Sequence, residues 1–155
     1  MYILGISCFY HDSAAALLRD GELVPAAMEE RFTRKKNDNG FPTNAVQFCL
    51  RQAGISADEL DYVVFYEKPL VKFERILLTT LNTFPKSLDV WRDAMLTWLK
   101  EKLWIKNIIQ QQVGVRYDRV LFCDPHMSHA ASPFFASPFR EAAVLTMDGV
   151  GEWTT

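Results

Sequence analysis

Short apolar runs separated by turn-forming residues open the chain. Residues 2–8 form the first run, and Ala14–Arg19 and Glu22–Met28 form two more on either side of Asp20-Gly21. An Asp-Gly pair between two such runs is a strong hairpin signal. The pattern therefore predicts three antiparallel strands in sequence order, with Pro25 indicating a bulge or an edge position in the third.

Helical and strand patterns alternate after this meander. Residues 43–53 carry apolar side chains at helical spacing, with Thr43 as the predicted N-cap and Gly54 as the stop signal. Residues 60–66 are rich in β-branched and aromatic side chains and predict a fourth, buried strand. Residues 119–123 predict a fifth.

Residues 70–113 predict two helices that are split near Phe84-Pro85 and end at Gly114. In the second helix, apolar side chains recur every three or four positions and form a stripe that only Lys102 interrupts. Packing against the domain is the commoner explanation of such a stripe, with a cofactor cleft or a membrane-surface helix as alternatives. Its apolar members are Leu88, Trp91, Met95, Trp98 and Ile105.

The last part of the chain begins with a predicted helix after Pro125 and continues with an apolar run, residues 142–147. This run predicts one further strand, which ends at Asp148 and is followed by Gly149 and Gly151. Glycines at such a point let the backbone approach a phosphate or acyl group closely. The element order as a whole predicts an α/β fold with a mixed five-stranded sheet and flanking helices.

Composition narrows the class of protein. With 155 residues, of which 49% are hydrophobic and 23% charged, the chain is long enough for one globular domain with a sizeable core. A net charge of −2 with interspersed signs gives no electrostatic footprint for nucleic acid or an anionic membrane. No basic segment precedes the first apolar run, and no apolar stretch reaches the roughly 20 residues of a membrane helix. We therefore expect a cytoplasmic protein.

The three cysteines, Cys8, Cys49 and Cys123, are far apart in the sequence. No CxxC pair occurs, so neither a disulfide framework nor a zinc knuckle is indicated. We expect all three to be small buried hydrophobic residues in a reducing compartment.

His11-Asp12-Ser13 is the first candidate for chemistry, because it interrupts the apolar pattern directly after the first strand. A strand-end turn can point a side chain into a cleft, and a neutral imidazole there can take a proton from an attacking hydroxyl. The alternative is a turn histidine that is hydrogen-bonded to the backbone. On these residues alone the two interpretations are equally favoured.

His126 and His129 are the second candidate. In a helix they lie one turn apart on the same face, and Asp148 follows a nearby strand. Two imidazoles and a carboxylate suit iron or zinc better than magnesium. The alternative, a helix start with ordinary packing, is the more frequent origin of a two-histidine pattern.

Three sequence blocks, HDSAAAL, EERFTRKK and HMSHAASPFFASPFREAAVLTMDGVGEW, resemble the NodU/TobZ family of O-carbamoyltransferases in order and spacing. The resemblance covers essentially the whole chain but only the opening part of the family's length. It implies a ribonuclease-H-like, actin-like ATPase (ASKHA) fold. Residues 1–141 would form the first subdomain and residues 142–155 the first strand of the second. The rest of that second subdomain and a YrdC-like domain would follow in a complete member, so the chain resembles a fragment.

The resemblance also implies a reaction. ATP and carbamoyl phosphate, as co-substrates, would give a carbamoyl-adenylate in the YrdC-like domain. The actin-like domain would then bind the adenylate and pass its carbamoyl group to a hydroxyl of a small natural product. The acceptor and the oligomeric state stay open, with a homo-oligomer among the alternatives.

Site residues follow from the same resemblance. His11 is expected to be the catalytic base, Asp12 and Lys36 to bind substrate, and His126, His129 and Asp148 to hold a divalent metal, iron or zinc. The charged run that contains Lys36 is by itself typical of a solvated surface. The chain departs from the family pattern at two places. Asn37 replaces a histidine, and Pro125 stands where the family has its first metal-ligating histidine, which leaves His126, one position along, to substitute.

Two other classes of function compete with this one. A sugar kinase or nucleotide switch of the same fold typically carries a glycine-rich phosphate turn such as DxGT after its first strand. Here residues 5–8 lead to His11-Asp12-Ser13 instead, which disfavours that class. A binding or regulatory fragment without catalysis is the third alternative.

Overall fold

A computed structural model describes residues 1–89, 91, 92, 95, 98 and 102–147. Its described residues form the five strands and five α-helices bounded below, with helical residues also at 88, 89, 91, 92, 95 and 98, and the chain divides into two compact units. The first unit, residues 1–66 and 105–122, contains all five strands, and the second is formed by residues 67–104 and 123–155. The strands are β1 (Tyr2–Ser7), β2 (Ala14–Arg19), β3 (Glu22–Met28), β4 (Tyr62–Phe65) and β5 (Val120–Phe122). The helices are α1 (Glu30–Thr33), α2 (Thr43–Ala53), α3 (Pro69–Thr83), α4 (Ile105–Val113) and α5 (Pro125–Phe135).

The five strands form one mixed sheet in the order β3-β2-β1-β4-β5. Strands β1 to β3 are the predicted antiparallel meander, while β4 runs parallel to β1 and β5 parallel to β4. The hairpin between β2 and β3 turns at Asp20 and Gly21, whose φ angles of 52° and 89° are the positive values that the favoured two-residue turn requires. The α/β class and the mixed five-stranded sheet are therefore confirmed.

The core of the first unit lies between this sheet and two helices. Leu4 of β1 is paired with Leu17 on one side and Val63 on the other, and all three are fully buried. Helix α4 packs one face into this core, with Ile109 at its centre, and α2 contributes Cys49 to the same core. Burial raises the pKa of the Cys49 thiol to about 11, so this cysteine is an inert packing residue.

Several local predictions can be compared with the structure. Helix α3 ends at Thr83, which confirms the break near Phe84-Pro85, and Gly114 follows α4 with a φ of 87°. Met95 and Trp98 are buried, as the packing explanation of the apolar stripe requires, although Leu88 is half exposed. Cys123 is only partly buried, so the expectation that all three cysteines are buried is wrong at this position.

Thr43 is not the N-cap of α2. It is the first residue of the helix, the N-cap is Pro42, and no side chain of the cap residue bonds to the helix. Proline has no side-chain acceptor, so the first amide groups of α2 need another partner. That partner lies elsewhere in the sequence and is described with the site below.

The predicted strand at residues 142–147 is wrong. These residues have no regular secondary structure, and Leu145 and Met147 are about 80% exposed (82% and 80%). A strand needs the backbone of a neighbouring strand for its hydrogen bonds, and in the described residues the ladders involve only β1 to β5. The division of the chain at residue 142 into two subdomains stays a prediction.

Within the described ranges, no helix is both long enough and apolar enough to cross a lipid bilayer.

Candidate functional site

The segment between β1 and β2, residues 8–13, forms a tight turn that we call the histidine turn. Its backbone has positive φ angles at Phe9 (64°) and Asp12 (49°). Such values are uncommon for residues other than glycine and cost on the order of 1–3 kcal/mol each. The histidine turn is therefore a strained conformation that the surrounding structure must hold in place.

His11 lies at the tip of the histidine turn, where it contacts both neighbours. Its Nδ1 is 2.9 Å from Oδ2 of Asp12, and its ring is tilted against that of Tyr10 with 4.4 Å between centroids. Because an ionised carboxylate only accepts hydrogen bonds, the contact places the proton of a neutral imidazole on Nδ1 and leaves Nε2 as the acceptor. The side chain is 61% exposed, so the described residues do not form the cleft that the sequence predicts around it.

Ser13 ends the histidine turn and faces inward. It is 1% exposed, its Oγ donates to the carbonyl oxygen of Asp38 at 2.6 Å, and its carbonyl accepts from the backbone N–H of Glu29 at 2.8 Å. Ser13 therefore has a structural role, and the two chemically distinctive side chains of the turn are His11 and Asp12.

Glu29 begins the charged run of residues 29–36 and provides the missing cap of α2. Its carboxylate is buried at 3% exposure and accepts hydrogen bonds from the backbone N–H of Asn44 at 3.2 Å, from the side-chain amide of Asn44 at 2.6 Å and from the N–H of Ala45 at 2.8 Å. An anion at a helix N-terminus is favourable because of the free N–H groups and the helix dipole. The interpretation of the run as solvated surface is thus wrong at Glu29.

Lys36 lies in the turn that follows α1 and has an exposed side chain. In the described residues it makes no hydrogen bond or ion pair. The next residue, Asn37, has a φ of 53° and donates its backbone N–H to Oε2 of Glu30 at 3.1 Å. Lys36 thus presents an exposed ammonium group on a turn that the backbone holds in place, and it belongs to the same unit as His11.

In the second unit, the predicted helix after Pro125 is confirmed as α5. Asp124 is its N-cap and accepts from the backbone N–H groups of His126 at 3.0 Å and Met127 at 3.4 Å, while Lys68 approaches its other oxygen at 3.7 Å. Proline at the first helical position is favourable because its fixed φ suits the helix. His126 and His129 consequently lie one turn apart, as predicted.

The two histidines differ in their surroundings. His129 is exposed, whereas Nε2 of His126 is buried and has no hydrogen-bond partner among the described residues. Buried polar atoms are nearly always hydrogen-bonded, so this nitrogen is unusual and has the unpaired state that a metal-ligating imidazole nitrogen has before binding. His126 therefore fits the metal implied by the sequence, although no group of three or more potential ligands occurs in the described part of the chain.

Asp148, the third predicted metal ligand, lies outside the described residues. Of the remaining predicted site residues, His11 and Asp12 are in direct contact and share the first unit with Lys36. His126 and His129 are on one helix of the second unit.

One buried charge pair was not predicted from the sequence. Glu67 follows β4, is 2% exposed, and accepts from Nζ of Lys72 in α3 at 2.7 Å. The spacing of five residues gives no helical or strand signal, because Glu67 lies before the helix that carries Lys72. The pair compensates the charge of a carboxylate that would otherwise be costly to bury.

Comparison with known proteins places the chain in a class. The family described as "Carbamoyltransferase N-terminus" matches residues 2–155, so the chain belongs to that family. It is 33% identical over 149 residues to Nodulation protein NolNO of Sinorhizobium fredii, covering 95% of this chain and 21% of NolNO. The resemblance to NodU-type carbamoyltransferases drawn from the three sequence blocks is thereby confirmed.

Two further relatives have no functional name. The chain is 55% identical over 161 residues to "Uncharacterized protein sll1178" of Synechocystis sp., covering 99% of this chain and 26% of that protein. It is 31% identical over 150 residues to "Uncharacterized protein MJ1051" of Methanocaldococcus jannaschii, covering 97% and 22%. The chain therefore spans about a quarter or less of the length of these relatives.

Proposed function

We propose that this chain is the N-terminal part of an ATP-dependent O-carbamoyltransferase that transfers a carbamoyl group from a carbamoyl-adenylate to a hydroxyl of a small molecule. Membership of the carbamoyltransferase family supports the reaction class. The sheet order β3-β2-β1-β4-β5, with three antiparallel strands followed by two parallel ones, supports assignment to the first subdomain of an actin-like (ASKHA) fold. Adenylate formation from ATP and carbamoyl phosphate is assigned to a YrdC-like domain outside this chain.

The contact between His11 and Asp12 carries the proposal. With its Nδ1 proton held by the carboxylate, His11 has Nε2 available as an acceptor on a largely exposed ring. In the proposed transfer, the acceptor hydroxyl gives its proton to Nε2 while its oxygen bonds to the carbamoyl carbon. The bond from that carbon to the adenylate phosphate oxygen breaks, and AMP leaves with the electron pair. Asp12 thus gains an orienting role beside its predicted role in substrate binding.

Lys36 and the two histidines of α5 have further roles in the proposal. The exposed ammonium of Lys36 is suited to hold the adenylate phosphate or the carbamoyl oxygen as a point charge. Nε2 of His126, together with His129 and Asp148, would hold the iron or zinc ion. When bound, that ion would supply Lewis-acid stabilisation of developing negative charge. Nε2 of His126 is buried and has no hydrogen-bond partner in the part of the chain that the structure describes, and this observation supports its inclusion.

The test separates the two half-reactions in the full-length polypeptide that carries this chain. Carbamoyl-adenylate formation is followed by mass spectrometry, and carbamoyl transfer by incorporation of labelled carbamoyl phosphate into a panel of small hydroxyl acceptors. We expect His11→Ala to lower the transfer rate by about 10²–10⁴-fold, the usual effect of a lost general base, and to leave adenylate formation intact. Equal loss of both half-reactions would mean that His11 is structural.

A further inference from the structure

Two backbone carbonyl groups hold the histidine turn at its ends. The N–H of Phe9 donates to the carbonyl of Asn39 at 2.8 Å, and the N–H of Ser13 donates to the carbonyl of Asp38 at 2.7 Å. The Ser13 hydroxyl donates to the same Asp38 oxygen at 2.6 Å. These bonds, which we call the carbonyl clamp, enclose residues 10–12 and therefore the whole tip that carries His11.

The side chain of Asp38 folds the loop that supplies the carbonyl clamp. Its Oδ2 accepts from the hydroxyl of Thr33 at 2.8 Å, and its Oδ1 accepts from the backbone N–H of Gly40 at 3.0 Å. A Cβ atom added at Gly40 would lie 3.3 Å from that same Oδ1, so the loop passes tightly around the carboxylate. Lys35 is 3.9 Å away on the exposed side. The Asp38 side chain thus joins the end of α1 to Gly40, two residues before the N-cap of α2.

The carbonyl clamp explains how the strained conformation persists. Positive φ angles at Phe9 and Asp12 are maintained only where the surrounding structure over-determines them. Since the clamp bonds lie directly at Phe9 and next to Asp12, they are placed to oppose relaxation of those two residues. If the loop around Asp38 loosens, the turn is expected to relax, and with it the contact between His11 and Asp12.

We propose that Asp38 is a positioning residue for the carbamoyl-transfer step. Its carboxylate folds residues 33–40 so that the carbonyl clamp fixes the histidine turn, and the same fold fixes the turn that carries Lys36. Asp38 itself is 8% exposed and acts through these two segments. The kinetic part of this proposal rests on the proposed function, whereas its structural part does not.

The test compares Asp38→Ala with Asp38→Asn in the full-length polypeptide. An asparagine keeps an acceptor for the Gly40 N–H and an amide that can donate to Thr33, so it preserves the loop. We expect Asp38→Ala to lower kcat for carbamoyl transfer by about 10–100-fold, with KM for the acceptor changed less than about threefold, because misplacement of a reacting group costs rate. Asp38→Asn is expected to stay within about threefold of wild type, as is the control Lys35→Ala.

Amide hydrogen exchange supplies a second readout that needs no catalysis. In Asp38→Ala the amides of Phe9 and Ser13 should exchange at least about tenfold faster, while that of Leu17 in the sheet core should be unchanged. Equal acceleration at Leu17 would mean general destabilisation and would overturn the positioning role, as would unchanged exchange at Phe9 and Ser13. Faster exchange at the turn with unaltered carbamoyl transfer would also contradict it. If wild type transfers no carbamoyl group, the proposed function fails, and the exchange result still decides whether Asp38 holds the turn.

Discussion

Two regions that follow a strand carry histidine: the histidine turn of the first unit and the start of α5 in the second unit. They differ in whether their polar groups have hydrogen-bond partners. At the histidine turn, the backbone N–H groups of Phe9 and Ser13 and Nδ1 of His11 have partners nearby. At the start of α5, the backbone is capped by Asp124, yet Nε2 of His126 is buried without a partner among the described residues. These three groups of the histidine turn are paired, whereas Nε2 of His126 at the start of α5 lacks a partner in the part of the chain that the structure describes.

This difference in hydrogen bonding indicates how the histidine turn and the start of α5 are each expected to respond to substitution. A group held by satisfied hydrogen bonds is preorganised, so its chemistry depends on the scaffold that fixes it. A buried imidazole nitrogen without a partner is costly, and binding a metal ion would remove that cost. We therefore expect substitutions around the histidine turn to act through geometry, and substitutions at the start of α5 to act through occupancy by metal.

The largest expected effect is loss of bound metal after substitution at the start of α5. Loss of a hydrogen-bond partner of a metal ligand weakens metal binding by roughly 10–100-fold. In the full-length polypeptide, His126→Ala and His129→Ala remove proposed ligands themselves, so each should weaken binding of iron or zinc by more than that. Elemental analysis and competition with a chelator measure this. Loss only with His129→Ala would leave His126 as a bystander and would remove the contrast between the two regions. Unchanged metal content in both variants would mean ordinary packing.

A smaller effect, on stability, is expected for Glu29, which caps α2 and whose backbone N–H bonds to Ser13 of the histidine turn. Glu29→Ala leaves the N–H groups of Asn44 and Ala45 without their buried acceptor, so it should lower the free energy of unfolding by about 2–3 kcal/mol. Urea denaturation measures the change. Glu22→Ala is the matched control, because Glu22 is an exposed carboxylate on the edge strand β3 and should change the value by less than about 0.5 kcal/mol. A Glu29→Ala change as small as the control's would refute the cap.

The smallest expected effect is a pH dependence at Asp38. The Gly40 N–H and the Thr33 hydroxyl hold the pKa of this carboxyl below its usual range. Because the folded-state pKa is depressed, its contribution to stability is present above the ordinary aspartate value of about 3.9 and is lost as pH falls through the lower folded value. Urea midpoints of wild type should therefore fall more steeply below about pH 4 than those of Asp38→Asn. Parallel curves for the two proteins would contradict this.

Local patterns predicted most of the sheet. The hairpin at Asp20-Gly21 and the apolar alternation of the strands act between neighbours in sequence, so they were visible without the fold. The strand predicted at residues 142–147 failed because an apolar run specifies a strand only when a pairing partner is present.

The supports of the site were not predictable in the same way. Glu29 caps a helix whose first amides are 15 and 16 residues away, and Asp38 reaches Ser13 across 25 residues. Only the folded sheet brings these partners together. Thr43 has the side chain of a good N-cap, but the buried carboxylate of Glu29 takes that role. The apolar pattern singled out His11 as a candidate and the resemblance favoured a catalytic role for it, whereas the hydrogen bonds that hold its turn required the structure.

The most direct test of the central claim is the rate of the transfer step alone. Preformed carbamoyl-adenylate is mixed with the full-length polypeptide and a hydroxyl acceptor, and single-turnover transfer is measured in wild type and in His11→Ala. If His11 is the base, the His11→Ala rate is about 10²–10⁴-fold lower than that of wild type. A variant with a rate near that of wild type would contradict the account.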